Sequence, residues 1–202
     1  MVAPGASPHT YEPRPRQMAA LAGTRVYFAV GVPFEQAWLP RIAAANPDLR
    51  VVHTEAGIEK IAMEAHSDHG EEHPGAGAAP AAEAAHHRHE GLDPHVWLAP
   101  PLVVIQGRAI RDALATLDPA HRAHYNARFE AFRQRLEKLD ADLRRLFGPR
   151  SGAQFLVFHP SWGYFARAYG LTQVAIEIEG KEPKPAQLQK LIAHAREKGI
   201  RV

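Results

Sequence analysis

Apolar residues along this chain fall into short β-rich runs separated by stretches with helical spacing, and the alternation appears twice. Arg25-Val26-Tyr27-Phe28-Ala29-Val30 is an apolar run ended by Gly31, the pattern of a buried strand. Pro33 suits the first turn of a helix carrying Phe34, Ala37, Trp38 and Ile42, and Leu49 to His53 predicts another strand. Strand, helix, strand implies a parallel α/β layer. Upstream, prolines at 4, 8, 13 and 15 predict a loop with His9 in its middle, followed by a short helix over Arg16 to Leu21. The rhythm resumes with a strand at Gln154-Phe155-Leu156-Val157-Phe158, ended by His159, and a helix from Trp162 to Tyr169 closed by Gly170. A strand from Gln173 to Ile178 and a helix from Pro185 to Lys198, closed by Gly199, complete it.

The segments between these halves differ in kind. Residues 64–90 are Ala, Gly, Pro, His and acid without periodicity, a composition that cannot offset its ordering entropy and predicts a mobile loop. Order returns at Leu92-Asp93-Pro94-His95-Val96-Trp97-Leu98, ahead of a helix from Pro101 to Leu117. Asp118-Pro119 reads as an N-cap and first turn, and Tyr125, Phe129, Phe132, Leu136, Leu139, Leu143 and Leu146 follow at spacings of four and three. That predicts one helix to Phe147, roughly 29 residues and about 43 Å long, stopped by Gly148-Pro149. It serves as a strut between two lobes or as a coiled-coil arm. The expected division is a first α/β lobe over 1–117, a linking helix over 118–147 and a partial second lobe over 148–202. Ile200-Arg201-Val202 begins an element and stops, so the chain reads as cut within the second lobe.

Composition narrows the function. With 202 residues, 46% hydrophobic and 23% charged, the chain is long enough for a substantial core and is not a disordered or fibrous sequence. Twenty-four basic against 22 acidic residues leave +2, scattered rather than clustered, which argues against nucleic acid or an anionic membrane as partner and for a small ligand. No apolar run approaches the roughly 18 residues of a membrane span, and Met1-Val2-Ala3-Pro4-Gly5 does not open a signal peptide. Cysteine is absent, which excludes disulfides, thiolate sites and thiol nucleophiles.

Histidine is the outlier at 13, and it forms two populations. His66, His69, His73, His86, His87 and His89 crowd the loop, where Asp68, Glu71, Glu72, Glu83 and Glu90 face a single Arg88. Such a segment offers weak, multiple cation sites. It either gathers zinc for a tighter site or is a tolerated surface insertion. His9, His95 and His159 instead sit in loops or at strand ends beside proline, and ligands in open α/β sheets bind at the carboxyl ends of strands. Three converging imidazoles suit tetrahedral Zn2+ with one position left for water or a carboxylate. The alternative is three turn histidines satisfied by backbone, and spacing alone does not separate the two. His53, His121, His124 and His194 read as structural or solvated, and Trp38, Trp97 and Trp162 as core residues, the latter two placed to shield a metal from water. Glu177, Glu179 and Glu182 either approach the cleft or belong to a loop carrying Pro183 and Pro185, the plainer description.

Four segments carry a resemblance. Pro4-Gly5-Ala6-Ser7-Pro8-His9-Thr10-Tyr11-Glu12-Pro13, Leu92-Asp93-Pro94-His95-Val96-Trp97-Leu98, Phe158-His159-Pro160-Ser161-Trp162-Gly163-Tyr164-Phe165 and Ile178-Glu179-Gly180-Lys181-Glu182-Pro183 resemble the successive signatures of the ZnuA-type zinc receptors, the solute-binding proteins of bacterial zinc ABC importers. The resemblance implies two Rossmann-like α/β lobes joined by a long rigid helix, matched by residues 118–147, with zinc held between the lobes. His9 and His95 would be its ligands from the first lobe and His159 from the second. It implies a monomeric periplasmic receptor, not an enzyme, that passes Zn2+ to a membrane permease. The signal peptide, first strand and distal carboxylate of the family pattern are not in this sequence. The fourth ligand is then water or a loop acid such as Glu71 or Glu72, and zinc is expected to bind more weakly than in a longer relative. Two other classes stay open on the residues alone. One is a zinc hydrolase with a metal-bound water, although no helical His-Glu-x-x-His motif supplies its base; the other is a His-rich buffering or adhesion protein.

Overall fold

The computed structural model describes residues 2, 11–63, 91–177 and 183–200. They form two compact units, Met1–Ile58 with Pro100–Lys138 and Glu59–Ala99 with Leu139–Val202. Residues 91–99 fall in the second unit, where Tyr164 Oη accepts the Ile61 N–H at 3.2 Å and donates to the Asp93 carbonyl at 2.8 Å.

The first unit contains α1 (Pro15–Ala22), β1 (Val26–Ala29), α2 (Pro33–Ala45), β2 (Arg50–His53), α3 (Pro100–Leu117) and the first part of α4 (Arg122–Phe147). β1 and β2 pair in parallel, from Val26 opposite Arg50 to Ala29 opposite His53, with α2 as the crossover. Both α1 and α2 begin with proline, whose missing N–H would have been unsatisfied there, and in each the third helical residue reaches back to the cap. Gln17 accepts the Arg14 N–H at 2.9 Å and Glu35 the Val32 N–H at 3.2 Å. Glu35 is buried, and its carboxylate also takes the N–H groups of Val30 and Gly31 and the hydroxyl of Tyr27, so the turn after β1 is wrapped around a satisfied charge. Leu21, Ile42 and Leu49 form the core, with Met18, Tyr27, Trp38, Leu39 and Val51 against them. α3 approaches α4 closely at Gly107, where a Cβ would lie 3.3 Å from the Phe129 ring.

α4 starts later than the Asp118-Pro119 pair suggests. Residues Pro119–His121 form a 3-10 turn and the α-helix begins at Arg122. The Asp118 carboxylate is occupied by His121 Nδ1 and Tyr125 Oη, both at 2.8 Å, and so does not cap the backbone. At its other end the helix gives way, as expected, to a 3-10 turn at Gly148–Arg150.

The second unit holds β3 (Gln154–Val157), α5 (Gly163–Tyr169), β4 (Thr172–Ala175), α6 (Pro185–Glu197) and the end of α4. β3 and β4 are parallel, from Gln154 opposite Thr172 to Val157 opposite Ala175. Gly170, in the left-handed region at φ 66°, ends α5 and permits this crossover within seven helical residues. Val96, Tyr164, Ala166, Tyr169, Val174 and Ala175 are buried, and the rings of Phe147, Phe165 and Tyr169 pack the end of α4 against α5. The result is α/β throughout, with a long helix. Among the described residues no helix is long and apolar enough to cross a membrane.

Candidate metal centre

His95 is placed by its near neighbours. An antiparallel bridge between Ala62 and Leu92 and the Asp93 N–H to Ile61 carbonyl bond of 2.9 Å hold the chain extended up to Asp93. The Asp93 carboxylate then turns forward over Pro94, and its Oδ1 accepts both the His95 backbone N–H at 2.8 Å and the imidazole Nδ1 at 2.6 Å. Asp93 is 1% exposed and His95 5%, so the ring cannot swing without breaking a buried charge-assisted bond. A carboxylate only accepts, so the shared hydrogen sits on Nδ1, and in the neutral ring Nε2 carries the lone pair. The Trp97 and His95 rings meet edge to face, with centroids 5.2 Å apart.

His159 is placed by sheet register instead. Val157 lies opposite Ala175, so the residues two further on, His159 and Glu177, emerge side by side at the carboxyl ends of β3 and β4. The ladder extends past the strands, with Ile176 N–H on the Val157 carbonyl at 2.8 Å and Glu177 N–H on the Phe158 carbonyl at 3.0 Å. His159 Nδ1 meets Glu177 Oε1 at 2.5 Å. Again a carboxylate takes Nδ1 and leaves the lone pair on Nε2.

The two rings come together within the second unit, centroids 5.2 Å apart and planes at 78°. That separation can be compared with what a metal requires. Two imidazoles on one tetrahedral ion, with Zn–N of about 2.0–2.1 Å and the ring centre about 1.1 Å beyond each nitrogen, have centroids about 5 Å apart. The 5.2 Å separation matches that value, as it also matches an edge-to-face ring contact. Among the described residues no third histidine, aspartate or glutamate joins them to complete a site. Asp93 and Glu177 are engaged on Nδ1 and act as orienting groups.

His9 lies outside the described residues, as do the loop histidines 66, 69, 73, 86, 87 and 89, the loop acids Glu71 and Glu72, and Glu179 and Glu182. The histidines expected to be structural or solvated are so placed: exposed His53 on Glu55, exposed His121 on Asp118, His194 on Gln154 and His124 beside Tyr125. Trp38 packs on the first core, whereas Trp162 is 37% exposed, edge to face with Phe165 rather than buried as expected. Sequence reasoning missed the role of Asp93 and did not pair Glu177 with His159. The i, i+2 spacing in Asp93-Pro94-His95 was a usable signal; Glu177 needed the register.

Over residues 1–202 the sequence matches the family described as zinc-uptake complex component A, periplasmic. It is 26% identical over 197 residues to the high-affinity zinc uptake system protein ZnuA of Bacillus subtilis strain 168, covering 96% of this chain and 59% of that protein. It is 27% identical over 197 residues to the manganese-binding lipoprotein MntA of Halalkalibacterium halodurans, covering 96% of this chain and 58% of that protein. The chain thus spans a little under three fifths of the length of these relatives. A crystal structure of a ZnuA superposes with a TM-score of 0.80 at 38% identity, covering 98% of this chain and 69% of that one.

Proposed function

The chain belongs to the ZnuA family, and from that premise we propose that it captures Zn2+ outside the inner membrane, as a monomer, and delivers it to the permease of an ABC importer. The family consists of solute-binding receptors and not of enzymes, which sets the hydrolase reading aside. Zinc is held by His9, His95 and His159, the latter two through Nε2. The observation that carries this reading is the pair of imidazoles 5.2 Å apart, each with its Nδ1 on a carboxylate. Manganese, named for the H. halodurans relative, prefers oxygen donors, and a site built on imidazoles favours zinc over it. The loop histidines collect further zinc at low affinity and supply the tight site.

Calorimetric titration tests the assignment. Zn2+ binds the chain far more tightly than Mn2+ does, and the double variant His95→Ala/His159→Ala loses the tight site; equal zinc affinity in both proteins removes the ligand assignment. Deleting residues 66–90 lowers the number of zinc ions bound per chain while sparing the tightest one, counted by native mass spectrometry.

A further inference from the structure

We infer that Gly163 is a positioning residue for His95: its bare Cα is the surface against which the Asp93 carboxylate is seated, and a side chain there displaces Asp93 and, through it, the imidazole. This rests on the reading of His95 as a zinc ligand and extends it to a residue on another element.

Gly163 is the first residue of α5, and its backbone does not call for glycine. It is not among the residues with positive φ, and glycine at a helical position is less favourable than alanine. What calls for glycine is space. A Cβ at 163 would lie 2.8 Å from Asp93 Oδ2, 3.0 Å from Ile61 Cδ1 and 3.4 Å from Gln173 Nε2. The first of these is closer than carbon and oxygen can approach, so one side must move.

Asp93 has nowhere to go. Its N–H is bound to the Ile61 carbonyl at 2.9 Å, its own carbonyl to Tyr164 Oη at 2.8 Å, and its Oδ1 to His95 at 2.8 and 2.6 Å. The start of α5 is held as well, because Gln173 Oε1 accepts the Trp162 N–H at 3.0 Å. Among the described residues neither Asp93 Oδ2 nor Gln173 Nε2 has a hydrogen-bond partner. On that side the carboxylate is therefore located by shape, not by polar contact. Rotating the carboxylate relieves the contact but carries Oδ1 away from His95 Nδ1 and frees the ring from the orientation proposed to bind metal.

The test is a double-mutant cycle on the full chain, with Zn2+ alone as titrant. Gly163→Ala lowers zinc affinity by about 10- to 100-fold, the range found when an orienting partner of a metal ligand is lost. Asp93→Ala lowers it similarly, and Gly163→Ala placed in the Asp93→Ala background costs nothing further, because both act through one carboxylate. Wild-type affinity in Gly163→Ala, or a full additional loss in the double variant, overturns the inference. If Gly163→Ala does not fold, Asp93→Ala/Ile61→Val/Gly163→Ala must, since the close oxygen and the Ile61 Cδ1 are both gone; a triple variant that also fails to fold, where Asp93→Ala/Ile61→Val folds, overturns it. In the zinc-free chain, Gly163→Ala shifts the Nδ1 resonance of His95 and leaves that of His159 in place, and an unmoved His95 resonance counts against the inference. The underlying ligand assignment fails separately, by a His95→Ala variant that binds zinc as tightly as wild type.

Discussion

His95 and His159 carry the same device, an imidazole with Nδ1 on a carboxylate, built in two different ways. The His95 side chain is 6% exposed and its Asp93 partner 1%, and the pair spans two residues joined by a proline. The His159 side chain is 34% exposed and Glu177 11%, and the pair spans 18 residues joined by a strand, a helix and a register. The buried pair is walled off by the rest of its unit, and no water can replace its carboxylate. A half-exposed pair depends on two strands meeting correctly, and water can stand in for its acid. One ring is thus a fixed post and the other an adjustable one.

This difference can be broken in order of effect. His95→Ala should cost the most, roughly 100-fold or more in zinc affinity, since structural zinc binding of about 10–16 kcal/mol is shared among about four ligands; His159→Ala should cost less, and the reverse ranking by competition with a chromogenic chelator would break the comparison. Next come the orienting acids. Asp93→Asn should lower affinity by about 10- to 100-fold and Glu177→Gln by about tenfold or less, because solvent reaches the second pair. Equal losses would mean that exposure does not distinguish them.

The smallest effect concerns Tyr164, which clasps Asp93. Burial, aided by the charge of Asp93 and opposed by the Ile61 N–H and Arg167, raises its phenol above the ordinary 10.0. A raised folded pKa means that the neutral form is favoured by the fold. Its contribution is therefore complete below about pH 10 and is lost as pH rises through the folded value. Tyr164→Phe should destabilise the chain by about 1 kcal/mol at pH 8 in urea unfolding, for the lost hydrogen bonds, and the gap should close above pH 10. A gap that stays constant would contradict the clasp.

Much of this was legible beforehand, for identifiable reasons. Pro33 and Pro185 mark helix starts because proline sacrifices nothing at a first turn, and β1 and β3 lie within apolar runs, whereas β4 begins at Thr172 and ends at Ala175, short of the expected Ile178. Asp118 misled because its carboxylate had two side-chain suitors, His121 and Tyr125, that outcompete backbone capping. The partner of His159 was hidden for a different reason. Composition locates strands, but only pairing says that Val157 faces Ala175, and that one alignment is what brings Glu177 beside His159. Gly163 was quoted within a signature segment without a role, since the carboxylate it accommodates lies 70 residues upstream at Asp93.

Nitrogen-15 NMR of the histidine-labelled chain, followed as one equivalent of Zn2+ is added, tests the central claim most directly. His95 and His159 should move together, Nε2 of each taking the shift of a metal-bound nitrogen while each Nδ1 keeps its proton. Zinc that binds with neither ring perturbed, or through Nδ1 of either, would contradict the account.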